Sequence, residues 1–284
     1  MLEIVIWDVQ HGSAAYINTP NGKVIIIDLG TGDYSGNDAK FSPLQYLERN
    51  GISTIDQLII THPHTDHIDD IFNIESFSVA SLLRPRHLTE DDIRNANRSQ
   101  DKSKVDKYFE FEGIYNSSLT YEDSVLCDEN NGGVSIKCFI SDNCPHSNIN
   151  NHSVVTILEY LGVKIIIPGD NEAASWDKLL ELEDFIESIK DTSILVAPHH
   201  GRENGYTDKL FDYFTPDIVI ISDGPVSSTS ITSKYTYIAD GWTVHSRSGK
   251  EPQERSCLTT RNDGAIGIKI YEDAGQTYQV IYKD

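Results

Sequence analysis

The stretch Thr61-His62-Pro63-His64-Thr65-Asp66-His67 constrains this chain more than any other, because it sets three imidazoles and a carboxylate within six positions. It follows the apolar run Gln57-Leu58-Ile59-Ile60, which reads as a strand. His62 and His64 are two apart, so where a strand runs out into a loop their side chains leave the backbone on the same side and can reach one ion. Asp66 and His67 follow at what reads as the start of a helix, Asp66 to about Ser76, turned toward a second ion beside the first. Imidazole nitrogen with carboxylate oxygen is the donor mixture of zinc, manganese or iron. Neither a packed core nor a solvated surface requires such a cluster.

Composition narrows the rest. A length of 284 residues allows one large domain or two small ones, and 38% hydrophobic with 9% aromatic residues is ordinary for a soluble globule. A net charge of -21 makes the whole molecule repel nucleic acid and anionic membrane at long range while leaving room for a local basic groove. It weighs against tight non-specific duplex binding, which needs many phosphate contacts. Cys127, Cys138, Cys144 and Cys257 lack paired zinc spacing, the strand-like Leu2-Glu3-Ile4-Val5-Ile6 stands where a signal peptide would, and no apolar run has the length of a membrane span. The expectation is a cytoplasmic protein with reduced thiols and no membrane partner, a Cys127–Cys138 disulfide being the alternative.

Strands are expected over 2–7, 14–19 and 23–28, then a Gly-rich loop from Leu29 to Gly36 and a helix from Pro43 to Asn50-Gly51. Residues 76–148 show no clear alternation and carry a charged segment, Leu88 to Phe111, that reads as one or two helices; this is expected to be an insertion over the site. Regular order returns with strands Val154–Tyr160 and Val163–Ile167, helix Ala173–Lys190, strand Ile194–Ala197, helix Thr207–Phe214 and strand Ile218–Ser222. Strands Ala265–Tyr271 and Thr277–Tyr282 close the chain, which is read as one domain over 1–284. Strands separated by helices indicate an α/β class.

The histidine string, placed after an apolar strand, resembles the His-x-His-x-Asp-His signature of the metallo-β-lactamase-fold hydrolases. That resemblance implies a four-layer αββα sandwich with two divalent ions, zinc ahead of manganese. Pro168-Gly169-Asp170 resembles the Gly-Asp that bridges both ions, and His152 resembles the third histidine, with His146 as the competing choice. Ala197-Pro198-His199-His200-Gly201 resembles the Pro-His-His-Gly of the subgroup that includes the hydrolase domain of the ComEC/Rec2 competence proteins; His199 or His200 would complete the second ion. Asp8-Val9-Gln10-His11-Gly12, Ile27-Asp28-Leu29-Gly30 and Ile221-Ser222-Asp223-Gly224 resemble further pieces of that subgroup. Two departures stand out: His11 replaces a Gln or Gly, and Asp69-Asp70 replaces small residues, either tuning the metals or complementing a helix end.

On this reading His62, His64 and His152 hold the first ion, Asp66, His67 and one of His199 or His200 the second, and Asp170 bridges. Two such ions share a water and lower its pKa, giving a hydroxide held for attack. Asp66, Asp170, His199 and His200 are the catalytic candidates. The resemblance favours a phosphodiesterase acting on nucleic acid or a nucleotide, with His11, Asn151, Arg84 and Arg86 as substrate contacts. The run Arg94, Arg98, Lys102, Lys104, Lys107 either guides a polyanion or is a solvated helical face, and Ser246 to Lys250 is either a phosphate contact or an exposed hairpin. A small-molecule hydrolase and a non-catalytic interaction protein are the competing functions, and a homo-oligomer is open.

Overall fold

Alternation of apolar side chains decides the layering. In the strand Val24–Ile27, Ile25 and Ile27 enter one core while Val24 and Ile26 enter another, and in Val163–Ile167 the same split separates Val163, Ile165 and Ile167 from Ile166. A strand with apolar residues on both faces must be covered on both. The computed structural model describes residues 1–33, 40–115, 117, 119–224 and 230–284. The Gly-rich loop expected over Leu29 to Gly36 lies partly outside them.

In chain order the main elements are β1 (Leu2–Ile6), β2 (Ala15–Asn18), β3 (Val24–Ile27), α1 (Pro43–Arg49), β4 (Gln57–Ile59), α2 (Thr65–Ile68), β5 (Leu82–Leu83), α3 (Glu90–Ala96), α4 (Lys102–Glu112) and β6 (Ser135–Phe139). They continue with β7 (Val155–Tyr160), β8 (Val163–Ile167), α5 (Ala173–Leu179), α6 (Glu183–Ile189), β9 (Ile194–Val196), β10 (Ile218–Ile221), α7 (Thr232–Ile238), β11 (Trp242–Ser246), β12 (Gln253–Arg255), β13 (Cys257–Thr259), β14 (Ile266–Asp273) and β15 (Gln276–Lys283). One sheet runs β12-β11-β15-β14-β1-β2-β3-β4-β5 and the other β6-β7-β8-β9-β10-β13. Their inner faces share a core that joins Ile4, Ile27 and Ile268 to Ile165, Ile194 and Ile220. Leu44, Leu47, Val105 and Tyr108 cover the outer face of the first sheet, and Trp176, Phe185, Ile189 and Tyr235 that of the second. Helix, sheet, sheet, helix is the expected αββα order.

Three expected elements differ. The helix expected from Asp66 to Ser76 breaks after Ile68 and resumes as a 3-10 turn over Ile71–Ser76. The cause is local: the Asp70 N–H donates to the Leu29 carbonyl, and its buried carboxylate accepts from Ser42 Oγ and the Leu44 N–H at the start of α1. Asp70 thus complements a helix end, though of a different helix, while Asp69 pairs with Lys104. The helix expected over Ala173–Lys190 is two, α5 and α6, because the turn at Leu180–Leu182 lets Trp176 and Leu179, then Phe185 and Ile189, pack on the same sheet. Thr207–Phe214 is only a 3-10 turn, Asp208–Asp212. The charged segment forms α3 and α4, and all four cysteines are free. Among the described residues no helix is long and apolar enough to cross a membrane.

β3 and β4 run parallel in one sheet and β8, β9 and β10 in the other. The segments that leave the ends of these strands converge along one edge of the sandwich.

Candidate metal centre

The histidine string leaves β4 and folds over that edge. His62 is fully buried, with Nε2 2.9 Å from His64 Nδ1 and Nδ1 3.1 Å from Ser153 Oγ. Two-residue spacing does bring these rings together. Burial, then the neighbouring His67 and His64 rings, holds the His62 pKa well below its ordinary value, which favours the neutral imidazole with one ring nitrogen's lone pair to offer.

Asp66, His67, Asp170 and His200 form one group, with one ligand atom from each lying within 4.8 Å of the others. His67 Nε2 is 3.3 Å from Asp170 Oδ1, and His200 Nε2 is 3.4 Å from Asp170 Oδ2 and 3.5 Å from Asp66 Oδ2. Second partners fix both rings: His67 Nδ1 donates to Asp28 Oδ2 at 2.7 Å, and His200 Nδ1 to the Ser222 carbonyl at 3.0 Å. Both Nε2 atoms are buried and have no hydrogen-bond partner. Buried nitrogens whose opposite ring atoms are committed to carboxylate or carbonyl are what a divalent cation requires of its ligands. The donor set therefore fits a metal.

Electrostatics reflect the same closeness. Burial opposes protonation of His67, but Asp170 and Asp28 outweigh it and raise its pKa well above the ordinary value. His200 is pushed up to about 10, burial again opposing and Asp170 and Asp66 prevailing. Asp170 lies well below the carboxylate range, because His200 and His67 outweigh its burial.

Backbone geometry delivers these groups. Gly169 has φ +60, and a Cβ there would stand 2.8 Å from Thr61 Cβ and 2.9 Å from Ser153 Cβ, so only glycine lets Asp170 sit against the histidine strand. His199 and His200 are both left-handed, with φ 47 and 55, an uncommon conformation for side-chain-bearing residues and one found at functional sites. That turn sends His200 to Asp66 and Asp170. His199 stands alongside, Nε2 3.8 Å from Asp170 Oδ2 and Nδ1 3.3 Å from Glu172 Oε1. The pair left open by sequence is thus divided, with His200 in the four-residue group.

Other expected site residues fall elsewhere. His152 is buried against His87, its Nδ1 2.7 Å from His87 Nε2, and no hydrogen bond or ring contact joins it to His62 or His64. Arg84 is buried in an ion pair with Glu112 at 2.5 Å, and Arg86 donates to the Tyr115 carbonyl. Asn151 is buried and accepts from the Glu172 N–H. His11 does reach the site, 3.9 Å from Asp66 Oδ2 and 5.0 Å ring to ring from His200. In the charged segment Arg94 pairs with Glu90 and Asp106, Lys104 with Asp69, and Lys107 with Glu75 and Glu110. Arg98 lines an open cleft of about 330 Å³ beside the metal group, together with His11, His64, Asp66, Asp69 and Asp101. Ser246 to Lys250 joins β11 to β12 as a hairpin, and Arg247 is paired with Asp284.

Sequence reasoning gave no site role to four contributors: Asp28, which it noted only within a resembling motif, Ser153, Glu172 and Arg202. Arg202 places Nη2 3.0 Å from His11 Nε2 and Nη1 3.3 Å from His199 Nε2. Its position directly after Pro-His-His-Gly was the available signal.

Residues 7–96 match the profile of the Metallo-beta-lactamase superfamily. Among curated proteins the chain is 24% identical over 220 residues to Recombination protein 2 of Haemophilus influenzae, covering 76% of this chain and 24% of that one. It is 23% identical over 236 residues to ComE operon protein 3 of Bacillus subtilis, covering 78% and 28%. The chain therefore spans about a quarter of the length of these relatives. A Thermotoga maritima structure of the same superfamily is similar over 90% of this chain and 97% of its own, at 12% identity and TM-score 0.44. The signature string thus lies inside the region that matches the superfamily profile, and two sheets packed between helices give the chain the α/β fold that the resemblance implied.

Proposed function

We propose that the chain is a dinuclear metal-dependent phosphodiesterase acting on nucleic acid or a nucleotide. His62, His64 and Asp170 would hold the first ion, and Asp66, His67, Asp170 and His200 the second. When bound, two divalent ions would supply Lewis acidity and lower the pKa of the attacking water. The chain's own residues supply the rest. Asp28 and the Ser222 carbonyl keep Nε2 of His67 and His200 turned inward. His199, with Nδ1 3.3 Å from Glu172 Oε1, is the further side chain that stands beside these residues to hold substrate.

The observation that carries the phosphodiester reading is Arg202, a guanidinium at the rim that touches both His11 and His199. A cation there suits an anionic substrate oxygen. A relative named Recombination protein 2 favours nucleic acid as the source of that oxygen. A second reading, hydrolysis of a small anionic ester, draws on the pairing of Arg94, Lys104 and Lys107 with carboxylates, which leaves little free charge for a polymer.

The test is hydrolysis of bis-p-nitrophenyl phosphate by purified protein supplied with zinc or manganese. Turnover is expected; fully metal-loaded protein without turnover would move the reading to a carbon ester, lactone or thioester. Activity on single-stranded DNA and on a dinucleotide, each followed against salt, then separates the two substrates. Only contact with several phosphates gives a steep decline.

A further inference from the structure

Away from the group around Asp170, three histidines that the proposed function does not use meet in one place. His87 lies after β5, His146 in the loop that follows β6, and His152 at the end of the 3-10 turn Ile149–His152. Their rings are mutually close, with centroids 4.8 Å apart for His87 and His152, 5.0 Å for His146 and His152, and 5.6 Å for His87 and His146. One ring nitrogen from each lies within 4.8 Å of the others. Segments far apart in sequence have been brought together to make this cluster.

We infer that His87, His146 and His152 form a further metal site, for a zinc-class divalent ion, separate from the centre at Asp170. Three observations carry it. His146 Nδ1 donates to Asp92 Oδ2 at 2.8 Å, so its tautomer is fixed and Nε2 keeps its lone pair, the carboxylate–histidine arrangement usual behind metal-bound imidazoles. His87 Nε2 and His152 Nδ1 face each other at 2.7 Å, a hydrogen-bond distance, and a cation that displaced the shared proton would part them to roughly 3.3 Å, the spacing of two tetrahedral zinc ligands. His152 is fully buried while the His146 side chain is 39% exposed, so the cluster is anchored inside yet open to an ion from solvent. Three imidazoles without a thiolate select zinc and its neighbours over magnesium or calcium, and leave a fourth position for water.

The site would also have a structural effect. Ser153, the residue after His152, bonds His62 Nδ1 and accepts from the Asp170 N–H. An ion on His152 would therefore pin the turn from which Ser153 reaches the main centre.

The experiment is a zinc titration of the full-length, metal-free chain, read by elemental analysis after gel filtration and by the visible spectrum of the cobalt-loaded protein. It compares wild type with His87→Ala, His146→Ala, His152→Ala and Asp170→Asn. The two half-exposed histidines are expected to tolerate replacement, checked by circular dichroism and Tm. His87→Ala and His146→Ala should each lose the same single equivalent and the same cobalt band, and the double variant no more than one. That loss should persist in the Asp170→Asn background, which separates this site from the proposed catalytic centre. Unchanged stoichiometry in both single variants overturns the inference, the pair being then only hydrogen-bonded. Loss in His152→Ala alone also overturns it, and returns His152 to the ion held by His62 and His64.

Discussion

His67 donates through Nδ1 to Asp28 Oδ2 at 2.7 Å, with both side chains fully buried, and this bond is what turns Nε2 toward Asp170. Asp28 also accepts from the Thr61 N–H and hydroxyl, so one carboxylate ties the end of β3 to the start of the histidine string. Asp28→Asn keeps the shape and removes the charge. Zinc affinity is expected to fall about 10- to 100-fold, the usual cost of losing a partner behind a ligand. A competition titration with a chromophoric chelator measures it, and an unchanged affinity would show that His67 is oriented by packing alone.

Asp170 touches both His67 and His200 and follows a glycine that no other residue replaces without collision. Asp170→Asn should abolish phosphodiester turnover and lower bound metal while Tm of the metal-free protein stays measurable and cooperative. Full activity in this variant would sink the two-ion scheme.

The raised pKa values make a prediction about the metal-free chain. His200 is pushed up to about 10 from 6.5, so its ion pairs with Asp170 and Asp66 contribute fully below pH 6.5 and are lost as pH climbs toward 10. His67 adds to this in the same direction. The depressed Asp170 acts oppositely, contributing above its ordinary 3.8 and losing that contribution only in strong acid. Tm of the metal-free protein should therefore fall on the alkaline side, by about 2–4 °C for each kcal/mol lost. His200→Gln should flatten that slope. Zinc must displace the same protons, so its apparent affinity should rise with pH, and a proton release measured by calorimetry in two buffers checks it.

How much of this was legible in sequence follows from what each residue interacts with. The cluster from His62 to His67 was readable because spacing along a strand end is a local property, whereas the Gly-Asp at 170 was marked only by its resemblance to a family motif, and the collision that requires the glycine is seen only in the fold. The sheets were readable too, since Ile25 and Ile26 must be covered on opposite sides. Asp28, Ser153 and Glu172 were not, because each acts only through a histidine brought to it by tertiary folding. His152 has the right position in the chain, but the 3-10 turn that carries it directs the ring to His87. The basic run was left open between a groove and a solvated face because the Asp69 and Glu75 partners of Lys104 and Lys107 lie on another segment, whereas Arg94 pairs within its own.

Arg202 supplies the last prediction. Its guanidinium has no carboxylate partner within ion-pair distance among the described residues; Nη1 and Nη2 instead face His199 and His11. A histidine nitrogen is a weak substitute for an anion, so an incoming phosphate oxygen would exchange a neutral contact for a charge-assisted one. Such a contact contributes about 1.5–3 kcal/mol, which makes Arg202→Ala raise KM for a phosphodiester about tenfold or more. The value of kcat should change far less if the guanidinium binds ground and transition states alike. Arg202→Lys, which keeps the charge but not the fork, should recover part of the loss. An unchanged KM with a reduced kcat would mean that Arg202 acts through His199 on the chemical step. It would then be a positioning residue, and the cation at the rim would no longer speak for an anionic substrate.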